Sequence, residues 1–366
     1  MKKTLLALLL GTGASVWAAD EVVKFAIASA LTGPVTQYGT MQNTGAKQAI
    51  EDMNAAGGMN GKKIEYKIYD DACEGKQAVT VANQIVNDGA KFVIGHLCSG
   101  GTLAGAPIYN EEGIVMVTAA STTPELSDKG YDTVFRTIGT DLQSAPASAA
   151  YIAKVQPKKI ALIHDKQSYG QGLAEGVKKE LEAKKIPVAV FEGVNPGQSD
   201  FNALITKLKN EGVDFVYWGG YHPELGLIIR QGAEQGFKPT YMGADGIDNV
   251  EIFNIAGKAA DGLLATVPRN FSQEPQNKAI LDAINAKKED GTGPFVMTSY
   301  AAVKAIVDAA NQAKSNEPAE VAKALKSGSF DTPIGKISFQ ENGDLKDFQS
   351  VVYELKSDGS RTLKSE

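Results

Sequence analysis

Short apolar runs alternate with amphipathic stretches along most of the chain. Residues 22–30 form a strand-like run, and residues 40–56 then repeat apolar or small side chains at helical spacing until Gly57 and Gly58 end the pattern. Similar pairs of strand-like and helical stretches continue to the apolar run 114–120. Strands that alternate with helices are typical of a parallel sheet covered by helices on both faces.

The same alternation begins again in the second half of the chain. Strand-like runs recur there with helical stretches between them, at 158–165, 187–194, 213–220, 239–245 and 261–268. Two such series predict an α/β protein with two lobes of similar architecture, each built on a doubly wound parallel sheet.

The last hundred residues are mainly helical in pattern. Residues 277–289, 298–313 and 318–326 predict helices, and the strings "KISF" and "VVYEL" predict two late strands. Because no new series of parallel strands follows, the simplest placement returns these helices to lobe 1 and the last strand to lobe 2.

This placement predicts the division of the chain into lobes. Lobe 1 comprises 19–140 plus 268–346, and lobe 2 comprises 141–267 plus 347–366. The chain then crosses between the lobes at three places, near 137–141, 267–270 and 344–348. Three crossing segments predict a hinge rather than a flexible linker.

The first 18 residues have a different pattern. Lys2 and Lys3 precede a short apolar run, and small residues follow it. This order is typical of a secretory signal peptide, with cleavage expected after Ala18 or Ala19. The apolar run is too short to span a bilayer. We therefore expect an exported, soluble mature protein.

The chain has two cysteines, Cys73 and Cys98. Export to an oxidising compartment favours a disulfide, and two cysteines allow one pairing. The alternative is two buried free thiols.

Composition excludes several classes of function. The apolar fraction of 43% and the charged fraction of 22% are those of an ordinary globular protein. The formal net charge is −6 and no long basic run is present, which argues against a nucleic-acid partner. The three histidines, His96, His164 and His222, lack the clustered spacing of a zinc site. We expect neither a metal nor a cofactor.

Candidate site residues follow the predicted strands, because ligands of open α/β sheets bind beyond the carboxyl ends of the strands. Ser99 and the run 121–123 combine hydroxyls with helix N-termini, an arrangement that favours a small anion such as a carboxylate. The alternative is that these residues are helix N-caps.

Further candidates are one acid and three aromatic residues. Asp245 follows a strand as a lone acid that would suit an ammonium group, or it could be a turn aspartate. Tyr38, Tyr169 and Tyr221 lie at predicted loop tips, where aromatic rings often form a ligand wall or simply pack the loops.

Several long strings resemble one known family. They include "GPVTQYG", "GHLCS", "HDKQSYGQGLA", "DFVYWGGYHPE" and "FVMTSYAA". In these strings, and nearly end to end, the mature chain resembles the periplasmic Leu/Ile/Val-binding proteins, the solute-binding subunits of branched-chain amino acid ABC transporters. The resemblance implies the type I periplasmic binding protein fold with a three-strand hinge. It also implies a monomer without enzymatic activity, and an inner-membrane permease with its ATPase as partner.

The resemblance also implies roles for individual residues. Ser99 and Thr122 would hold the α-carboxylate of the ligand. The Ala120 carbonyl, the Thr122 hydroxyl and Asp245 would hold its α-ammonium. The side-chain pocket would be lined by Tyr38, Leu97, Tyr169, Tyr221 and Phe295, with the disulfide nearby.

The chain departs from the family pattern at two of these places. Family members carry glutamate where Asp245 stands and alanine where Ser121 stands. These differences concern the exact range of ligands more than the class. The alternatives are a protein of the same fold for another amino acid, amide or aromatic acid, an α/β enzyme such as a dehydrogenase, and a structural or sensory ectodomain.

Overall fold

The computed structural model describes residues 22–365, so the predicted signal peptide, 1–18, lies outside the described residues. The strands are β1 (Val23–Ser29), β2 (Ile64–Asp70), β3 (Phe92–Ile94), β4 (Val115–Thr118), β5 (Val134–Arg136), β6 (Ile160–His164), β7 (Val188–Gly193), β8 (Phe215–Gly219), β9 (Thr240–Ala244), β10 (Leu263–Pro268), β11 (Phe330–Thr332), β12 (Gly335–Ile337), β13 (Ser350–Leu355) and β14 (Arg361–Ser365).

The helices connect most of these strands. They are α1 (Thr36–Ala55), α2 (Gly75–Asn87), α3 (Ser99–Glu111), α4 (Glu125–Asp128), α5 (Asp141–Val155), α6 (Ser168–Ala183), α7 (Asn202–Asn210), α8 (His222–Glu234), α9 (Glu251–Ala256), α10 (Lys278–Ala286), α11 (Val296–Ala313) and α12 (Pro318–Ser327).

The sheet of lobe 1 has five parallel strands in the order β2-β1-β3-β4-β5. Successive side chains of a strand point to opposite faces. Phe25 and Ile27 of β1 therefore join a core that includes α1, α11 and α12, whereas Ala26 and Ala28 join a core that includes α2 and α3. Because both faces are covered, the strands have continuous apolar runs.

The sheet of lobe 2 has seven strands in the order β14-β13-β10-β9-β8-β6-β7. The five strands from β10 to β7 are parallel, as the pattern predicts, but β13 and β14 are antiparallel additions at one edge. The apolar string "VVYEL" predicted β13, whereas β14 was not predicted. Its residues, Arg361–Ser365, are mostly polar and none is buried, so it lacks an apolar signal.

The chain passes between the two sheets after β5, after β10 and before β13, which forms the expected three-strand hinge. In the first passage, a Cβ on Gly139 would lie 2.0 Å from the Phe348 ring, so the first and third passages are in close contact. Helix α11 returns to lobe 1 and packs along α1, where Gly45 allows the backbones to approach. The hinge thus joins two separately packed cores.

Candidate functional site

A small cavity lies between the lobes, at the carboxyl ends of the strands of both sheets. Eight of the ten predicted site residues line it. They are Tyr38, Leu97, Ser99, Ala120, Tyr169, Tyr221, Asp245 and Phe295, and the lining also includes Cys98 and Gly246. The two remaining predicted residues, Ser121 and Thr122, follow Ala120 directly but are not part of the cavity wall. The fold therefore brings most of the predicted set together from distant parts of the chain.

One corner of the cavity carries hydroxyl groups and a helix N-terminus. Ser99 is the first residue of α3, whose N-cap, Cys98, makes no side-chain capping bond. The Ser121 hydroxyl donates to Ser99 Oγ across 3.4 Å. The N-terminus of a helix offers free N–H groups and a positive dipole end, which favour an anion.

The alternative that these residues are N-caps is wrong for both segments. Cys98 and not Ser99 occupies the N-cap position of α3, and Pro124 occupies that of α4. The Thr122 hydroxyl is buried without a hydrogen-bond partner in the described structure, and the Thr122 carbonyl accepts the Asp141 N–H at 2.9 Å. The hydroxyls of Ser99 and Thr122 are therefore not used to cap a helix.

Another part of the cavity wall is acidic. Asp245 begins a short 3₁₀ turn after β9, and the Tyr169 hydroxyl donates to its Oδ1 at 3.2 Å. The same hydroxyl accepts the Gly246 N–H at 2.9 Å. Burial raises the pKa of Asp245 to about 7, although the Tyr169 hydrogen bond lowers it, and the charge of Asp248 raises it further. A buried carboxyl with a raised pKa is one for which a nearby cation would be favourable.

A second buried acid, Asp141, was missed by the sequence analysis. It begins α5 and is fully buried, and neither carboxylate oxygen has a hydrogen-bond partner among residues 22–365. Burial, and then the charge of Asp245, raise the pKa of Asp141 to about 8. The neighbouring Thr122 hydroxyl and the Arg136 charge lower this pKa, but the hydroxyl lies outside hydrogen-bond geometry.

Asp141 is not among the predicted site residues, because it does not directly follow a predicted strand. The residue lies instead in the predicted crossing 137–141. An acid at that position in a hinge segment was the available signal. Thr140 before it forms a capping box with Gln143, which fixes the start of α5 and holds Asp141 in the first turn.

Aromatic rings form the rest of the wall. Tyr38 meets Phe295 edge-on at 5.4 Å, and Tyr169 lies 5.1 Å from Tyr221. Tyr38, from lobe 1, also meets the His222 ring of lobe 2 edge-on at 5.5 Å. Burial raises the pKa of all three tyrosines well above the usual value, so they are neutral. His222 is a contact between the lobes that the sequence did not indicate.

The two cysteines form the predicted disulfide, so the alternative of two free thiols is wrong. The Cα atoms of Cys73 and Cys98 are 5.4 Å apart. Cys98 lines the cavity, and Cys73 Sγ lies 3.9 Å from the Tyr221 hydroxyl. The disulfide therefore braces the lobe 1 side of the site.

Two further features are absent from the described part of the chain. Residues 22–365 contain no cluster of three His, Cys, Asp or Glu side chains that could hold a metal ion. Within the same range, none of the helices combines the length and the apolar character that crossing a membrane requires.

Comparison with known proteins shows the family to which this chain belongs. Residues 22–360 match the family of periplasmic binding proteins. The chain belongs to this family. It is 51% identical over 345 residues to the leucine-, isoleucine-, valine-, threonine- and alanine-binding protein of Pseudomonas aeruginosa, covering 94% of this chain and 92% of that protein. It is 48% identical to the Leu/Ile/Val-binding protein of Escherichia coli, with 98% of both chains covered.

Solved structures agree with the type I fold of the family. The leucine-binding protein of Thermotoga maritima is similar with a TM-score of 0.86 at 27% identity, covering 94% of this chain and 98% of that one. The branched-chain amino acid transporter substrate-binding protein of Streptococcus pneumoniae, in complex with isoleucine, gives a TM-score of 0.83 at 25% identity, covering 94% and 100%.

Proposed function

We propose that this periplasmic binding protein is the solute-binding subunit of an ABC importer and captures branched-chain amino acids between its lobes. The observation that carries the proposal is the cavity itself, whose wall combines Ser99 at a helix N-terminus, the buried carboxyl group of Asp245 and a set of apolar and aromatic side chains. The α-carboxylate, the α-ammonium and the side chain of a free amino acid match these three features. The names of the similar proteins, which bind leucine, isoleucine and valine, support the choice of side chain.

The ligand carboxylate would be held by lobe 1. Ser99 and Thr122 would donate from hydroxyl and backbone N–H groups, and the N-terminus of α3 adds its dipole. Ser121 stands between them and bonds Ser99 through its hydroxyl.

The ligand ammonium would be held by the Ala120 carbonyl, the Thr122 hydroxyl and the acidic corner. Asp245 and Asp141 both have raised pKa values, chiefly because each is buried. An ammonium between them would offset that cost, because a buried charge is tolerated when it is paired and hydrogen-bonded. The unpartnered oxygens of Asp141 supply acceptors that the resemblance alone did not indicate.

The ligand side chain would lie against an apolar wall. Leu97, Phe295 and Tyr38 contribute it from lobe 1, and Tyr169 and Tyr221 contribute it from lobe 2.

Capture would proceed by closure of the lobes around the hinge. A ligand that contacts both lobes favours the closed state, because only that state makes all the contacts. We assign lobe 1 to 19–140 plus 268–346 and lobe 2 to 141–267 plus 347–366. The protein would act in the periplasm as a monomer, without cofactor or nucleic acid, and would deliver its ligand to a membrane permease.

Native mass spectrometry of the purified protein, followed by calorimetry with a panel of ligands, tests the proposal. We expect leucine, isoleucine or valine to bind most tightly. Threonine and alanine report the width of the range. Binding of an aliphatic amide or an aromatic acid in preference to every amino acid would contradict the proposal and support another ligand for the same fold.

Closure should also make binding sensitive to pH through His222. Burial lowers the pKa of His222 to about 4 in this structure, in which the ring contacts Tyr38 of lobe 1, although the charge of Glu251 opposes the shift. In an open form that uncovers the ring from Tyr38, we expect the ordinary value of about 6.5. The closed state then binds fewer protons than the open state, so affinity is full above about pH 6.5 and falls as the pH drops towards 4.

We expect the affinity for leucine to fall roughly thirtyfold between pH 7.5 and 5.0, as measured by calorimetry. His222→Gln should reduce this dependence, and the part that remains reports protonation of Asp245, whose pKa burial raises to about 7. His164→Gln is the matched control, because the His164 ring lies 5.2 Å from the Phe191 ring, at a tilt, within lobe 2. A profile unchanged in His222→Gln would show that another group controls it.

A further inference from the structure

Arg136, the last residue of β5, is a buried cation that the proposed function does not use. Its side chain is almost fully buried, and its Nε is 2.7 Å from Asp344 Oδ1. One further nitrogen donates to the Ser127 hydroxyl at 2.7 Å, and that hydroxyl donates to the same Asp344 oxygen at 2.7 Å. Burying an ion pair is often no more favourable than burying apolar side chains, so stability alone does not explain the pair.

The remaining terminal nitrogen of Arg136 contacts the backbone of the 121–123 loop. It donates to the Ser121 carbonyl at 3.0 Å and to the Thr123 carbonyl at 3.1 Å. These two carbonyls flank Thr122. The carbonyl of Thr122 itself accepts the Asp141 N–H from the first hinge passage. All three carbonyls of the loop therefore have fixed partners.

The contact with Arg136 fixes the orientation of the Thr122 N–H, because the peptide group is planar. The Ser121–Thr122 peptide is trans, and in a trans peptide the C=O and the N–H point in opposite directions. Because the Ser121 carbonyl points at Arg136, the Thr122 N–H points away from it. We propose that Arg136 is a positioning residue for the ligand carboxylate, which aims the Thr122 N–H into the cleft and places a positive charge behind the loop.

The pair with Asp344 connects this loop to the hinge. Asp344 lies in the predicted crossing 344–348, and Arg136 immediately precedes the crossing 137–141. The Arg136 N–H also donates to the Gly343 carbonyl at 3.0 Å. The Arg136 side chain thus links the carboxylate loop to the third hinge passage at Asp344.

This inference rests on the proposed function, and its test compares two ligands in each variant. Arg136→Lys keeps the charge but loses the fork that reaches both carbonyls. We expect its affinity for leucine to fall at least about tenfold, the value of one charge-assisted hydrogen bond. Its affinity for leucinamide, which lacks the carboxylate, should change by less than about threefold. The ratio of the two affinities therefore falls.

Arg361→Lys is the matched control. It weakens another ion pair, between the partly exposed Arg361 and the buried Asp248, and this pair makes no contact with the 121–123 loop. We expect it to lower the melting temperature and to leave the leucine-to-leucinamide ratio unchanged. If Arg136→Lys does not fold, the neutral double variant Arg136→Gln/Asp344→Asn should show the same fall in ratio.

The outcomes separate the inference from the proposed function. A parent protein that binds no amino acid overturns the proposed function. A parent that binds leucine, with variants whose ratio stays within about threefold of the parent's, overturns the role of Arg136 alone. A fall in the leucine-to-leucinamide affinity ratio in the Arg136 variants, without a matching fall in Arg361→Lys, supports the role of Arg136.

Discussion

Asp245→Asn should lower the affinity for leucine by about 3–5 kcal/mol, which is more than a hundredfold. Asp245 lies in the cavity wall, buried, with a single side-chain donor, the Tyr169 hydroxyl. Asparagine keeps the size of the side chain but removes the charge that would neutralise the ligand ammonium. The loss is large because the ammonium would be left buried with one carboxylate fewer. Calorimetry at pH 7.5 measures it.

Two comparisons make this result specific to charge. Asp245→Glu keeps a carboxylate, one methylene farther from the backbone, so it should keep most of the affinity. Without ligand, the Asp245→Asn protein should have a melting temperature no lower than that of the parent. The buried asparagine is neutral, so the cost of burying an ionised carboxylate is removed. A loss below about 1 kcal/mol in a folded protein would count against Asp245 and leave Asp141 as the ammonium partner.

The fold could be predicted largely because its strands are buried on both faces. Strands β1, β6 and β8 are apolar over nearly their whole length, and a run of that kind is visible without any structure. The segments after such strands converge at one edge of each sheet, which located Ser99, Ala120 and Asp245. The edge strand β14 and the short helix α4 carry no such signal, because their side chains are mostly polar.

The polar groups that support the site could not be predicted. Asp141 and Arg136 have the residue types of an ordinary surface, and only the folded chain shows that both are buried. Contacts between the lobes were equally hidden. Tyr38 and His222 are distant in sequence and meet only when the two lobes approach. Sequence patterns report which face of an element is buried, whereas these contacts depend on how two complete lobes are placed.

The ligand itself offers the sharpest test of the carboxylate corner. Leucinamide keeps the side chain of leucine but replaces the carboxylate with a neutral amide. At pH 7.0 its amine remains mostly protonated, since an α-amino group has a pKa of about 7.7–8.0. The Asp245 and Asp141 contacts would therefore persist, and a difference in binding would come from the replaced carboxylate.

We expect leucinamide to bind at least about a hundredfold more weakly than leucine, as measured by calorimetry at pH 7.0. The amide places an NH₂ donor against the donors of Ser99 and Thr122, and each charge-assisted bond that is lost is worth roughly 1.5–3 kcal/mol. Closure should weaken in parallel, with less compaction in small-angle scattering at equal ligand concentration.

N-acetylleucine keeps the carboxylate and lacks the ammonium, so it tests the acidic corner in the same way. Leucinamide that binds within about threefold of leucine would show that Ser99 and Thr122 do not hold a carboxylate, and the anion site would then have to lie elsewhere in the cleft.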